Sequence, residues 1–168
     1  MVEPGSPKGF RYITSIREWV LSKSRDEAAI IAPCPHHGKC PMASNPDLWC
    51  NFSQLAQKIP SSVFPKKVSE KDIVNEKYSY MIVQKNTIIP SETFKNVNEA
   101  NTPLDKSYFW PRVIRPAIKK HKHVIIDLCS EQSSKTGALE RRIIAKSHGV
   151  EGGYRMAKKM KWGDLWYF

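Results

Sequence analysis

The sequence has little of what marks membrane, secreted or repeat proteins. No run approaches the roughly 18 consecutive apolar residues of a membrane span, so no membrane-crossing helix is expected in these 168 residues. The opening MVEPGSPKGF has neither a hydrophobic signal core nor the Arg-rich, acid-free look of a transit peptide. A targeting signal is therefore expected to be already removed, to lie outside this chain or to be unnecessary. Cysteine is scarce, at four residues, and nothing indicates secretion, which argues against a disulfide framework. No C-x-x-C pair is present, the usual nucleus of a zinc site, and no internal repeat is visible.

What is there is one globular domain's worth of chain. It is 40% hydrophobic and 26% charged, with six Phe, six Tyr and five Trp to fill an interior. The formal charge is +11 and it is unevenly spread: residues 105–168 carry 14 Lys/Arg against 6 Asp/Glu. A basic segment of that density attracts phosphate backbones and gains from counterion release. Nucleic acid, RNA above all, is the expected partner, against the plainer reading of a solvated surface.

The spacing predicts a mixed α/β chain. Ser6 and Pro7 form a helix entry, and Phe10, Ile13, Ile16, Val20 and Leu21 follow at helical spacing, giving an amphipathic helix over 7–23. Only Met1 to Glu3 precede this entry, so the chain reads as if it begins inside a βα unit. Residues 28–32 are a buried strand. Residues 33–66, rich in Pro, Asn, Ser and His, read as an irregular loop that needs something to organise it. A strand over 78–85, an exposed excursion over 86–107 and an extended 109–116 follow, the last because each Pro biases its predecessor away from helix. HVIIDLC at 123–129 is the best strand, and it turns through 130–137 into a return strand over 139–146. A helix over about 150–161 buries Val150, Tyr154, Ala157 and Met160, and the Trp162–Trp166 tail docks as an extended segment.

The four cysteines are spaced Cys34-x5-Cys40-x9-Cys50, with Cys129 78 residues further on. Tetrahedral metals and cubane clusters both take four soft thiolates. Three of the four lie in the loop, and the fourth ends the strongest strand, so ligation clamps loop to core. Free buried cysteine is the first competing reading, but Cys34 and Cys40 lie among Pro, His, Gly and Lys, which is poor core company. Zinc remains open beside iron–sulfur, with His36 and His37 as added nitrogen candidates.

APCPHHGKCP at 32–41 and WCNFSQ at 49–54 resemble the cysteine region of the methyltransferase-like protein 17 family. The resemblance continues in order through VEPGSPKGF, KYSYMIV, WPRVIRP, HVIIDLC, LERRIIAKS and YRMAKKMKWGDLW, leaving 55–76 and 86–107 as variable stretches. It implies the C-terminal half of a class I methyltransferase-like (Rossmann-like) domain over 1–168. A cysteine-rich cluster-binding loop over 33–66 is inserted in it, and a basic β-hairpin plus helix completes it within 105–168. It also implies a 4Fe–4S cluster on Cys34, Cys40, Cys50 and Cys129, with zinc the alternative. The expected role is non-enzymatic: binding small-subunit rRNA and mitochondrial ribosomal proteins in the matrix, in assembly or as a resident component. The family's methyl-donor site, with its glycine-rich turn, has no counterpart here, so this chain alone is not expected to bind S-adenosylmethionine. A split gene fits, with a separate chain carrying the N-terminal half and the pair forming an rRNA methyltransferase. A reduced protein fits as well. A zinc-stabilised nucleic-acid-binding module is the remaining alternative.

Candidate RNA contacts are Lys119, Lys120 and Lys122, which interleave with His121 and His123. Arg142 and Lys146 share a strand face, and Arg155, Lys158 and Lys159 lie on the last helix. All would meet phosphates rather than read bases. Trp162 and Trp166 are expected in docking contacts, and Asp127 and Glu140 are given no catalytic role.

Overall fold

A computed structural model describes residues 1–23, 27–34, 36–57, 73–85, 106–107, 109–147 and 152–167. In chain order the elements are β1 (Val2–Pro4), α1 (Pro7–Lys23), β2 (Ala28–Ala32), β3 (Phe52–Gln57), β4 (Ile73–Tyr80), β5 (Ile82–Lys85), β6 (Arg112–Val113), β7 (Ile118–Lys119), β8 (His123–Cys129), α2 (Glu131–Thr136), β9 (Glu140–Ala145) and α3 (Gly153–Lys159). Mixed α/β is therefore the class. Every strand pair among the described residues is antiparallel, so the parallel sheet of a Rossmann-like domain is not among them.

Helix α1 starts where the sequence places it. Ser6 Oγ accepts from the Gly9 N–H at 3.2 Å, the N-cap bond that satisfies one orphan amide of the first turn. The helix then folds back on β1 so closely that a Cβ on Gly9 would stand 2.1 Å from the Pro4 carbonyl oxygen. The buried face differs from the expected one: Phe10, Ile13 and Val20 point inward, but Ile16 is exposed and Arg17 is buried in its place.

Three small sheets follow. The first has the order β1-β4-β3, the second pairs β2 with β5, and in the third β8 is flanked by β6 and β7 on one side and by β9 on the other. The single strand expected over 78–85 is two strands in different sheets. Met81 breaks it: its side chain is buried with Ile13, Val20 and Ile30, and its N–H donates to the Met1 carbonyl at 3.0 Å. The loop expected over 33–66 contains β3, which pairs with β4 from Phe52↔Tyr78 to Gln57↔Ile73; its residues from 58 on lie outside the described residues. So do most of the 86–107 excursion and Val150.

The third sheet carries the main core. Val124, Ile126 and Leu128 alternate along β8 onto one face and are fully buried with Val113, Ala157, Met160 and Trp166. Burying one such aliphatic side chain contributes on the order of 1.5–3 kcal/mol. The tail docks as expected: the Val113 N–H donates to the Asp164 carbonyl at 2.9 Å, the Gly163 N–H to the Val113 carbonyl at 2.8 Å, and the Trp166 N–H to the Pro111 carbonyl at 2.7 Å. The turn after β8 is a short helix rather than a plain bend. Ser130 and Ser133 cap each other in a capping box, and Gly137 closes it at φ 69°, the left-handed conformation glycine adopts without strain.

On the opposite face Asp127 pairs across the strands with Arg141, accepting from Nε at 2.7 Å and Nη2 at 2.9 Å. Arg115 lies 3.6 Å away. The hydrogen bond from Arg141 chiefly holds the Asp127 carboxyl below its ordinary value, against the opposing effect of burial. A depressed carboxylate stabilises the fold above its unfolded pKa of about 3.9 and loses that contribution as pH falls through the folded value. Asp127→Asn is expected to cost about 1–2 kcal/mol at pH 7, the lower part of the roughly 1.5–3 kcal/mol of a hydrogen bond to a charged group, reduced because Arg141 is exposed, with the deficit closing in acid below about pH 4. Denaturant unfolding at both pH values checks this; equal stability at pH 7 would count against the pair.

Candidate metal centre and basic face

Three segments of chain deliver the four cysteines to one place. Cys34 follows Pro33 at the end of β2, Cys40 opens the turn in which the Ala43 N–H donates to the Cys40 carbonyl, Cys50 precedes β3 and Cys129 ends β8. Cys50 is fixed by the Ser79 hydroxyl, which donates to its carbonyl at 2.8 Å. All four thiols line a single cavity, together with Phe10, Arg17, His36 and Ile114. The apolar cluster Phe10, Met42 and Ile114 packs directly against Cys40, Cys50 and Cys129.

Burial raises the Cys40, Cys50 and Cys129 thiols, and the neighbouring cysteines raise them further. Each of the six cysteine pairs is close enough for one charge to be felt by the other. Four thiolates cannot coexist here without positive charge to offset them; among the described residues no carboxylate lines the cavity, the nearest influence being Glu131 on His36. Among the described residues no three His, Cys, Asp or Glu converge tightly enough to hold a single metal ion.

Two arginines enclose the cysteine loop. Arg17, 4% exposed, donates from Nη2 to the carbonyls of His36 at 2.9 Å and Gly38 at 2.8 Å, and its Nε–H has no hydrogen-bond partner. Arg112 donates from Nε to the Pro33 carbonyl and from Nη1 to the Gly163 carbonyl at 2.7 Å. His36 is buried, with Nε2 3.5 Å from Cys129 Sγ. Burial first, then Arg17, lowers its pKa to about 4, so the ring is neutral at physiological pH. His37 accepts the Ile30 N–H at 3.1 Å, which turns its Nε2 to β2 and away from the thiols. The residues fit a thiolate-ligated group: four thiols and, among the described residues, a guanidinium N–H without a hydrogen-bond partner and no carboxylate in the cavity lining.

The basic residues gather in two places. Lys119, Lys120, Lys122 and Lys146 are all exposed and meet at one end of the third sheet. There the Lys120 N–H donates to the His123 carbonyl and the Lys146 N–H to the Lys122 carbonyl. Arg155, Lys158 and Lys159 project from α3, with Lys158 Nζ 5.7 Å from the Tyr154 ring centre. Arg142 is drawn off: its Nε donates to Glu140 at 2.6 Å. Glu140 and Asp127 are both spent on arginines, and Trp166 is buried.

Sequence reasoning missed Arg17 and Arg112 beside the cysteines; of its two nitrogen candidates, His36 lines the cavity and His37 bonds β2. For Arg17 a signal exists: it stands four residues after Ile13 and three before Val20, on the helix's apolar stripe.

Comparison with known proteins bears on this arrangement. The family model described as mitochondrial small ribosomal subunit Rsm22 matches residues 1–167. The chain is 33% identical over 183 residues to the mitochondrial Rsm22-cox11 tandem protein 2 of Schizosaccharomyces pombe, covering 98% of this chain and 24% of that protein. It is 31% identical over 172 residues to the mitochondrial ribosome assembly protein METTL17 of Homo sapiens, covering 98% and 31%. With the mitochondrial ribosome assembly protein RSM22 of Saccharomyces cerevisiae the identity is 27%, over 82% of this chain and 28% of that protein. The chain thus spans about a quarter to a third of the length of these relatives.

Proposed function

The chain belongs to the family of the mitochondrial small ribosomal subunit protein Rsm22, and from that membership we propose that it acts in assembly of that subunit in the mitochondrial matrix. Its part is non-enzymatic: it binds small-subunit rRNA and neighbouring ribosomal proteins, with a 4Fe–4S cluster on Cys34, Cys40, Cys50 and Cys129 as a structural brace. The fold is read as the C-terminal part of a methyltransferase-like domain carrying the cysteine loop as an insertion.

The observation that carries this reading is the placement of β8. Its first residue, His123, follows Lys122 in the basic end of the sheet, and its last, Cys129, enters the thiol cavity. Seven extended residues span roughly 20 Å, so one rigid strand links the metal centre to the surface that meets phosphates. The cluster would tie the 33–50 loop to this strand and supply the positive charge the buried thiols need. The cavity suits a polynuclear centre, in which each thiolate binds a different iron, better than one ion that must draw all four sulfurs to a single point.

Ultraviolet crosslinking of the full protein in intact mitochondria, followed by sequencing of bound RNA, tests the role. Small-subunit rRNA is expected above all other RNA, with crosslinked peptides from 119–123 and α3. Absence of rRNA enrichment, or enrichment of large-subunit rRNA alone, would rule the reading out.

A further inference from the structure

We infer that Arg17 and Arg112 are a charge-compensating pair for the centre, positioning residues that neutralise it and set how readily it accepts an electron. The inference rests on the iron–sulfur reading proposed above and goes beyond it in naming what surrounds the cluster.

Four thiolates around a dipositive iron–sulfur core leave two net negative charges in a cavity lined by Phe10, Met42 and Ile114. An uncompensated buried charge of that size is costly. The two guanidiniums supply two positive charges, and no other cation lines or borders the cavity among the described residues.

Their anchoring is independent of any metal. Arg17 reaches from α1 to the carbonyls after Cys34, at His36 and Gly38, while Arg112 reaches from β6 to the carbonyl before it, at Pro33. The two therefore hold the Cys34 stretch from both sides, and their charges are fixed before a cluster arrives. The charges reach the ligands: Arg17 is felt at Cys40 and Cys129, and Arg112 at Cys50 and Cys129, in each case favouring the thiolate. Among the described residues the Nε–H of Arg17 has no hydrogen-bond partner, nor has Nδ1 of His36, which lines the same cavity. Arginine can satisfy carbonyls and hold charge at the same time, which a neutral donor such as glutamine cannot.

Reduction adds a negative charge, so removing either cation makes reduction harder. The test is the midpoint potential of the anaerobically purified full chain, measured by mediated spectroelectrochemistry, for Arg112→Gln, Arg112→Lys, Arg17→Gln and Arg17→Lys. Each Gln variant is expected to shift the reduction equilibrium at least tenfold toward the oxidised form, about 59 mV for one electron, and each Lys variant to recover most of it. A purely carbonyl-holding role predicts no such recovery. If Arg17→Gln, at a buried position, fails to load, Arg112, half-buried, decides the matter alone. Iron and sulfide analysis of the unaltered chain separates the two claims. One zinc and no sulfide overturns the cluster reading and this inference with it. Four irons with unmoved potentials in Arg112→Gln overturns the inference alone.

Discussion

Cys50→Ser is expected to leave the protein essentially without iron or sulfide, to abolish the broad visible absorbance of a cluster, and to expose the 33–50 loop to proteolysis. Cys50 is the position where the argument is strongest. Burial raises its thiol well above the ordinary value, and all three other cysteines push it the same way. A serine hydroxyl is a hard, poorly ionised ligand, and in this apolar setting it cannot replace a thiolate. The stability consequence separates a loaded site from an empty one. Metal bound only by the folded state contributes its binding free energy to folding, on the order of 10 kcal/mol for structural four-ligand sites. Losing it should cost several kcal/mol, seen as a fall in thermal midpoint and faster cleavage between β2 and β3. In a chain holding no metal, Cys→Ser costs only the burial of one hydroxyl, about 1–3 kcal/mol. Anaerobic purification, metal and sulfide analysis and limited proteolysis of both proteins give the answer. A Cys50→Ser chain as stable and as iron-rich as its parent sinks the four-thiolate assignment.

Much of the scaffold was legible because local signals agreed with the fold. The Ser6 cap and the Phe10, Ile13, Val20 spacing place α1, and the HVIIDLC run places β8. What escaped had no local signal. Phe52–Gln57 is a strand because β4 pairs with it along its full length. Its own pattern leaves Leu55 68% exposed, so no apolar alternation announces it. The break between β4 and β5 at Met81 is likewise tertiary: the N-terminal residue and α1 capture a methionine that the sequence offers as one more strand position. Arg17 shows the same limit in a functional residue. Periodicity assigns it to the apolar stripe, and only the fold reveals the carbonyls it serves. The four cysteines were legible as a set because type and number constrain metal chemistry even where spacing does not. The enclosing arginines were not, since arginines in a chain of net charge +11 look like surface.

Replacing Lys119, Lys120 and Lys122 together with Ala is expected to weaken binding to single-stranded or small-subunit RNA by about 100-fold at 0.15 M salt. The estimate follows from counterion release: each phosphate contact contributes about 0.7–0.9 to the slope of log affinity against log salt. Three lost contacts should flatten that slope by about 2–3. The three side chains are exposed, and the Lys122 carbonyl accepts the Lys146 N–H, so all three lie at one end of the third sheet. Their removal touches no part of the buried core, and stability should change by less than about 0.5 kcal/mol. Arg142→Ala is the internal contrast. Its guanidinium is engaged with Glu140 at 2.6 Å, so its loss should alter the salt slope far less than that of any one lysine. The contrast also reports on the brace. If β8 transmits order from Cys129 to Lys122, Cys50→Ser should lower RNA affinity with little change in salt slope, because the charges remain and only their fixed arrangement is lost. A fluorescence anisotropy titration series from 50 to 300 mM salt on the parent, the triple variant, Arg142→Ala and Cys50→Ser distinguishes these. A triple variant with the parent's slope and affinity places the RNA contact elsewhere, with Arg155, Lys158 and Lys159 on α3 the remaining basic surface to test.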